Sequence, residues 1–253
     1  MKSGTELINY KVYVMDKRER VKYMLQAAAA LFAVGYVFFS NIIIALIFSS
    51  AAFLYPKYKS KELAQERRAE LNLQFKDALY SLSSSLSSGR SLESGVRAAL
   101  SDLRVLYSDD NTYIIKEFEY IYRKMELNEP IETAMFDFAE RSGLEDIRNF
   151  ADVMSICKRS GGNLVQVVKN TSNIISDKIE IRQDIDLLLT KQKYEQKLLN
   201  IMPLVFIALI KFGGSGYMDS LYTSIKGYLL MGAALGILVI SYAASQKIFQ
   251  IKV

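Results

Sequence analysis

Few side chains in this sequence are placed to do covalent chemistry. Histidine and tryptophan are absent, and the only cysteine is Cys157. Without histidine, Ser-His-Asp and Cys-His pairs lose the base that activates the nucleophile. A lone thiol without imidazoles cannot build a zinc site or an intrachain disulfide. Glu93 and Glu132 have the residue type for paired acid-base work. Each falls in the first turn of a would-be helix, where a carboxylate meets the positive end of the helix dipole. Ser160-Gly161-Gly162-Asn163 is glycine-rich and precedes a helical pattern, the setting of an anion-binding loop. It lacks the glycine spacing of a P-loop and the lysine that reaches the phosphates, so a helix connector is the better reading. The serine run Ser81, Ser83, Ser84, Ser85, Ser87 and Ser88 contains no GxSxG elbow, and its small side chains suit close helix approach. Cys157 falls near an apolar stripe, as an inert core thiol does. No catalytic residue, cofactor or metal is expected.

The elements around these residues are sorted by hydropathy. Hydrophobic residues make up 51% of the chain and charged residues 23%, and the two populations are segregated along it. A first apolar stretch runs from about Tyr23 to Tyr55. It is too long for a cleavable signal peptide, and as one helix it would reach about 48 Å at 1.5 Å per residue, against a hydrocarbon core about 30 Å thick. Lys11, Lys17, Arg18, Arg20 and Lys22 precede it; Lys57, Lys59, Lys61, Arg67 and Arg68 follow. Basic residues mark cytoplasmic flanks, so the chain is expected to cross twice, the alternative being one long tilted helix. Ser40-Asn41 is the expected turn between Met24–Phe39 and Ile42–Tyr55. A second pair, Leu198–Ile210 and Tyr228–Ala244, surrounds a glycine-rich loop and is again flanked by lysines. The net charge of +5 thus reads as membrane topology rather than nucleic-acid binding. Tyr10, Tyr13 and Tyr23 read as interfacial anchors, and Gly232 with Gly236 as a GxxxG helix-packing signal.

Between the apolar pairs, apolar residues recur at helical spacing: Phe75, Leu79, Leu82 and Leu86; Ile114, Phe118, Ile121 and Met125; Leu144, Ile147, Phe150, Ala151 and Met154; Leu164, Val168, Thr171, Ile175 and Ile185. Such stripes need partner helices. Gly89, Gly143 and Gly161 follow helices, where a left-handed residue costs glycine little. Arg90-Ser91-Leu92-Glu93-Ser94-Gly95-Val96 aligns without gaps on Glu129-Pro130-Ile131-Glu132-Thr133-Ala134-Met135. Gly162-Asn163-Leu164 opens a third restart. Ser91 and Asn163 suit N-caps, and Pro130 suits a first helical turn. The predicted fold is all-α: a basic N-terminus over 1–23, a membrane hairpin over 24–55, and a cytoplasmic six-helix bundle over 56–197. A second hairpin over 198–245, with an outward loop at about 212–226, and a tail over 246–253 complete it.

Several of these residues resemble the type II secretion system F domain family, specifically its TadB/TadC branch from tight-adherence pilus systems. They are Leu86-Ser87-Ser88-Gly89-Arg90-Ser91-Leu92, Asn128-Glu129-Pro130-Ile131-Glu132-Thr133-Ala134, Arg141-Ser142-Gly143 and Lys158-Arg159-Ser160-Gly161-Gly162-Asn163-Leu164. The final Lys247-Ile248-Phe249-Gln250-Ile251-Lys252-Val253 is similar to the basic-apolar tail of the TadB-type proteins. The resemblance implies a non-enzymatic platform in the bacterial inner membrane. Implied partners are a hexameric secretion ATPase, a sister F-domain subunit, pilins and the lipid bilayer, with homo- or hetero-oligomers and no nucleic acid. Gly89, Gly143, Gly161, Gly162, Asn163 and Leu164 would form structural connectors. Arg90, Glu93, Glu129, Glu132, Lys158 and Arg159 are the candidate partner contacts, since connectors project beyond helix ends. The rival readings are a membrane-embedded enzyme, which would need ionisable residues within the spans, and a small transporter, which would need repeated membrane halves.

Overall fold

The computed structural model describes residues 7–213, 216 and 218–249, and all regular structure among them is helical. The helices are α1 (Lys17–Phe39), α2 (Ile42–Ser50), α3 (Tyr55–Ser87), α4 (Leu92–Leu106), α5 (Tyr113–Glu126), α6 (Ile131–Ser142), α7 (Glu145–Ser160), α8 (Leu164–Gly213), α9 (Asp219–Thr223) and α10 (Ile225–Phe249). The chain divides into two compact units. One comprises 1–14 and 60–181, the other 15–59 and 182–253. The boundaries expected at 56 and 197 lie inside α3 and α8. Gly214, Ser215 and Tyr217 of the glycine-rich loop, and residues 250–253 of the tail, lie outside the described residues.

The first unit is a set of consecutive helices around one core. α4 buries Val96, Ala99, Leu100 and Leu103; α5 buries Ile114, Ile115, Phe118 and Ile121; α7 buries Ile147, Phe150, Ala151 and Met154. These are spacings of three and four, so each helix turns one stripe inward. Phe75 of α3 sits at the centre with no exposed surface. Its ring meets Phe138 and Phe150 edge-on, with centroids 6.0 and 5.7 Å away. Short connectors make successive helices alternate in direction. α3 and α7 therefore run the same way, in a register set by Asn72 beside Asp146 and Phe75 beside Phe150.

In the second unit, α1 ends at Ser40, whose φ of 48° turns the chain. Asn41 then caps α2 by accepting from the backbone N–H groups of Ile43 and Ile44 at 2.9 and 3.4 Å. α1 and α2 approach most closely at Gly35, where an added Cβ would lie 3.0 Å from the Ala45 Cα. The Ser49 hydroxyl donates to the Ala28 carbonyl at 3.2 Å. α2 does not stop in a loop: a 3-10 turn over Ala51–Leu54 leads into α3. Pro56, in the first turn of α3, has no N–H to continue an unbroken α-helical ladder. The carbonyl ends of α1 are covered by two side chains from beyond α8's apolar run. Lys211 Nζ donates to the Tyr36 carbonyl at 2.5 Å, and the Tyr222 hydroxyl to the Val37 carbonyl at 2.9 Å.

Among the described residues, four helical stretches are long and apolar enough to cross a membrane: Lys17–Phe39, Ile42–Ser87, Val165–Gly213 and Ile225–Ser245. Gly232 and Gly236 have nothing within 4 Å of an added Cβ. Among the described residues the GxxxG pair thus meets no other helix, whereas Gly35 stands close against α2. The contrast is testable by thermal unfolding of detergent-purified chain. Gly35→Ala should cost about 1–3 kcal/mol as an overpacked contact. Gly232→Ala and Gly236→Ala should stay within about 0.5 kcal/mol.

Candidate functional site

Helix alternation gathers three connectors, α3–α4, α5–α6 and α7–α8, at one end of the first unit. A side-chain bridge fixes two of them together: Lys158, near the end of α7, donates to Glu132, in the first turn of α6, at 2.9 Å. Parallel α3 and α7 bring the α3–α4 connector to the same end. The connectors also share a backbone device. Gly89, Asn128 and Gly161 have φ of 81°, 60° and 68°, and the next helix starts three residues after each, at Leu92, Ile131 and Leu164. The left-handed backbone suits glycine, and asparagine tolerates it better than most residues. The aligned restarts therefore extend one step further back, to a Gly/Asn/Gly position. Ser91 and Asn163 accept from the N–H groups of Ser94 and Gln166 at 3.3 and 3.2 Å. Pro130 sits at the N-cap rather than inside the helix and makes no side-chain cap. Gly162 keeps an ordinary backbone, and an added Cβ there would stand 3.0 Å from Cys157 Sγ.

The proposed contact charges are not equivalent. Arg90, Glu93 and Arg159 are exposed, and Arg159 Nε makes only a long 3.4 Å bond to the Ser155 carbonyl. Glu129 is instead held by Lys124 at 2.7 Å, and Glu132 by Lys158. Burial raises the Glu132 pKa, but the Lys158 hydrogen bond and backbone hydrogen bonding outweigh it and the net shift is downward. Lys158 is therefore partly neutralised within the chain, while Arg90 and Arg159 face solvent.

Gly143 and the Arg141-Ser142-Gly143 motif lie at the opposite end. Arg141 is the best-connected side chain there. It pairs in bidentate fashion with Glu117, both bonds being 2.6 Å, and its Nε donates to Asp137 at 2.9 Å. Glu117 is 1% exposed. Burial pulls the guanidinium pKa down, but the bonds and charge of Glu117 overcome this and push it up. The Tyr10 hydroxyl donates to the same carboxylate at 2.9 Å, and the Tyr10 N–H donates to the Arg141 carbonyl at 3.0 Å. Burial first, then the negative Glu117, raise the Tyr10 pKa far above its ordinary value. Gly143, with φ of 62°, accepts from Arg68; the Ser142 hydroxyl accepts from the Leu144 N–H at 3.3 Å.

One sequence expectation changes here. Tyr10 is not an interfacial anchor: it has no exposed surface and belongs to the bundle core, stacked edge-on with Tyr113 at 5.6 Å. Tyr13 lies beneath the Arg67 guanidinium, 4.5 Å from its ring centroid. A tyrosine beside lysines in a nonperiodic segment reads the same whether it meets lipid or a distant helix. Glu117 was missed for a related reason, since a single acid on an apolar stripe shows its partner only in three dimensions. Among the described residues, no group of three or more Cys, Asp or Glu could hold a metal ion.

A family model described as Type II secretion system (T2SS), protein F, matches residues 78–218, more than half of the chain. No curated protein matches the chain, and no solved structure does. The matched span contains all three connectors together with Glu117 and Arg141. Removing one member of a buried pair leaves the other uncompensated, at about 3–5 kcal/mol. Arg141→Met should destabilise the detergent-purified chain by that much. Arg90→Ala at the exposed connector should change stability by less than about 0.5 kcal/mol. Thermal or chemical unfolding compares them.

Proposed function

This chain belongs to the type II secretion system protein F family, and from that premise we propose that it is a non-enzymatic platform subunit in the bacterial inner membrane. The four candidate spans form two hairpins, and the helical unit of residues 60–181 works in the cytoplasm. Its partners are a hexameric secretion ATPase, a sister F-domain subunit and pilins, as in the TadB/TadC branch. Motion driven by nucleotide turnover in the ATPase passes to the bundle and helps lift pilin subunits into a filament.

The observation that carries this reading is the common end of the three connectors. Three turns with the same left-handed device and exposed arginines on two of them form one surface, of the kind that suits recognition more than catalysis. Connectivity adds support. The chain passes between its two units three times, at 14/15, 59/60 and 181/182, so a load on the bundle has three covalent routes to the spans.

The surface is best tested at Arg90 and Arg159. Reversal at Lys158 would also set a new carboxylate against Glu132. Arg90→Glu with Arg159→Glu should weaken co-purification with the ATPase or the sister subunit, with a salt dependence typical of exposed charges. Thermal stability should stay within about 0.5 kcal/mol. Unchanged association with both partners would remove the connector end from the interface.

A further inference from the structure

Residues 7–14 carry no regular helix or strand, yet they group with the bundle. One side chain, Tyr10, is completely buried, whereas Val12 and Val14 are 58% and 85% exposed. Ile8 packs against the core and the Tyr13 ring lies against Arg67, and three backbone groups are bonded: Tyr10 N–H to the Arg141 carbonyl at 3.0 Å, Arg141 Nη1 to the Ile8 carbonyl at 3.4 Å, and the Ser60 hydroxyl to the Tyr13 carbonyl at 2.8 Å. The floor under Tyr10 does not need it for charge balance. Arg141 and Glu117 bind each other through two bonds and Asp137 takes a third. Withdrawing the phenol would therefore leave both charges paired. A buried pair that keeps its partner avoids the large penalty of an isolated charge. A cleft of about 440 Å³ runs beside the segment, lined by Leu7, Ile8, Tyr10, Lys116, Tyr120 and Leu127 among others. The segment is thus held by one fully buried ring, the partly buried Ile8, the Tyr13–Arg67 contact and a few bonds, with space at its side. Segments with few buried contacts open locally before the core does. Lys17 begins α1, a candidate membrane span, three residues after Val14.

We propose that residues 7–14 form a releasable strap, pinned by Tyr10, that opens and closes on an otherwise intact bundle. The bundle thereby has two states, and tension on the lead-in to α1 selects between them. A ligand or force shifts such an equilibrium only by acting differently on the two states; the strap supplies that difference, because it is the lead-in itself that leaves. The inference stands on the strap's own contacts and survives if the secretion-platform reading fails.

Hydrogen exchange with mass-spectrometric readout, on the full chain in lipid nanodiscs, tests it. In the wild type, peptides covering 7–14 should exchange faster than core peptides covering 114–121 and 147–154. Tyr10→Phe keeps the ring and loses the bond to Glu117, so strap exchange should accelerate about tenfold, the scale of one charge-assisted hydrogen bond. Tyr10→Ala should bring the strap close to unprotected rates with both core peptides unchanged. Strap and core exchanging together in the wild type would overturn the proposal, and so would core protection lost along with the strap in Tyr10→Phe. Strap exchange unchanged in Tyr10→Phe would also overturn it, since Tyr10 would not be the pin. If Tyr10→Ala does not fold, the wild type and Tyr10→Phe still decide.

Discussion

A carboxylate buried on an apolar helix face has to be answered, and at Glu117 the answer organises one end of the bundle. The charge is stripped of water, so it must find a cation and fill its remaining lone pairs. Arg141 supplies the cation from α6, and Tyr10 supplies a hydroxyl from a segment more than one hundred residues away. The same guanidinium reaches Asp137 and the Ile8 carbonyl. α5 and α6 are thereby held in one arrangement, with the N-terminal segment docked on them. The apolar stripes alone would permit other registers, because ridges of similar aliphatic side chains slide at modest cost. The ion pair makes the register specific.

The opposite end follows from that specificity. Once α5 and α6 are fixed as an antiparallel pair, the α5–α6 connector must lie at the far end. Lys158 and Glu132 bring the α7–α8 connector to it, and the register of α3 against α7 brings the third. Each connector solves the same local problem, leaving one helix and starting another within a few residues, with a left-handed residue three positions before the restart. A shared solution leaves a shared surface, and Arg90 and Arg159 are exposed cations on two of its turns. The family match spans both ends. That fits a domain in which one end is internally braced while the other is open to partners.

The sequence carried the all-α class, the apolar segments and the three restarts because each depends on local chemistry: hydropathy, period and backbone propensity. Ser40-Asn41 was readable as a turn because two polar residues interrupt a long apolar run, and the structure turns the chain there with φ of 48° at Ser40. Three things were hidden. The partnership of Glu117 with Arg141 joins residues that periodicity assigns to separate helices. The docking of Tyr10 depends on tertiary contact rather than on its basic neighbourhood. A close helix approach in the second unit falls at Gly35, a glycine without a motif, while the GxxxG motif at Gly232 and Gly236 meets no described residue outside its own helix. In each case the deciding contact is between different elements and the local pattern is neutral or points elsewhere. Among the charged connector residues, the sequence also could not separate Lys158, which is paired, from Arg159, which faces solvent.

The proposed platform role requires the helical unit to lie on the cytoplasmic side of a membrane crossed by two hairpins. Cysteine accessibility in intact cells tests it most directly. In a Cys157→Ser background, Asn111→Cys reports on the exposed loop between α4 and α5, and Ser224→Cys reports on the exposed turn between α9 and α10. With a membrane-impermeant maleimide, Ser224→Cys should label in intact cells and Asn111→Cys only after the inner membrane is permeabilised. Labelling of both positions from the same side, or in the reverse order, would contradict the account.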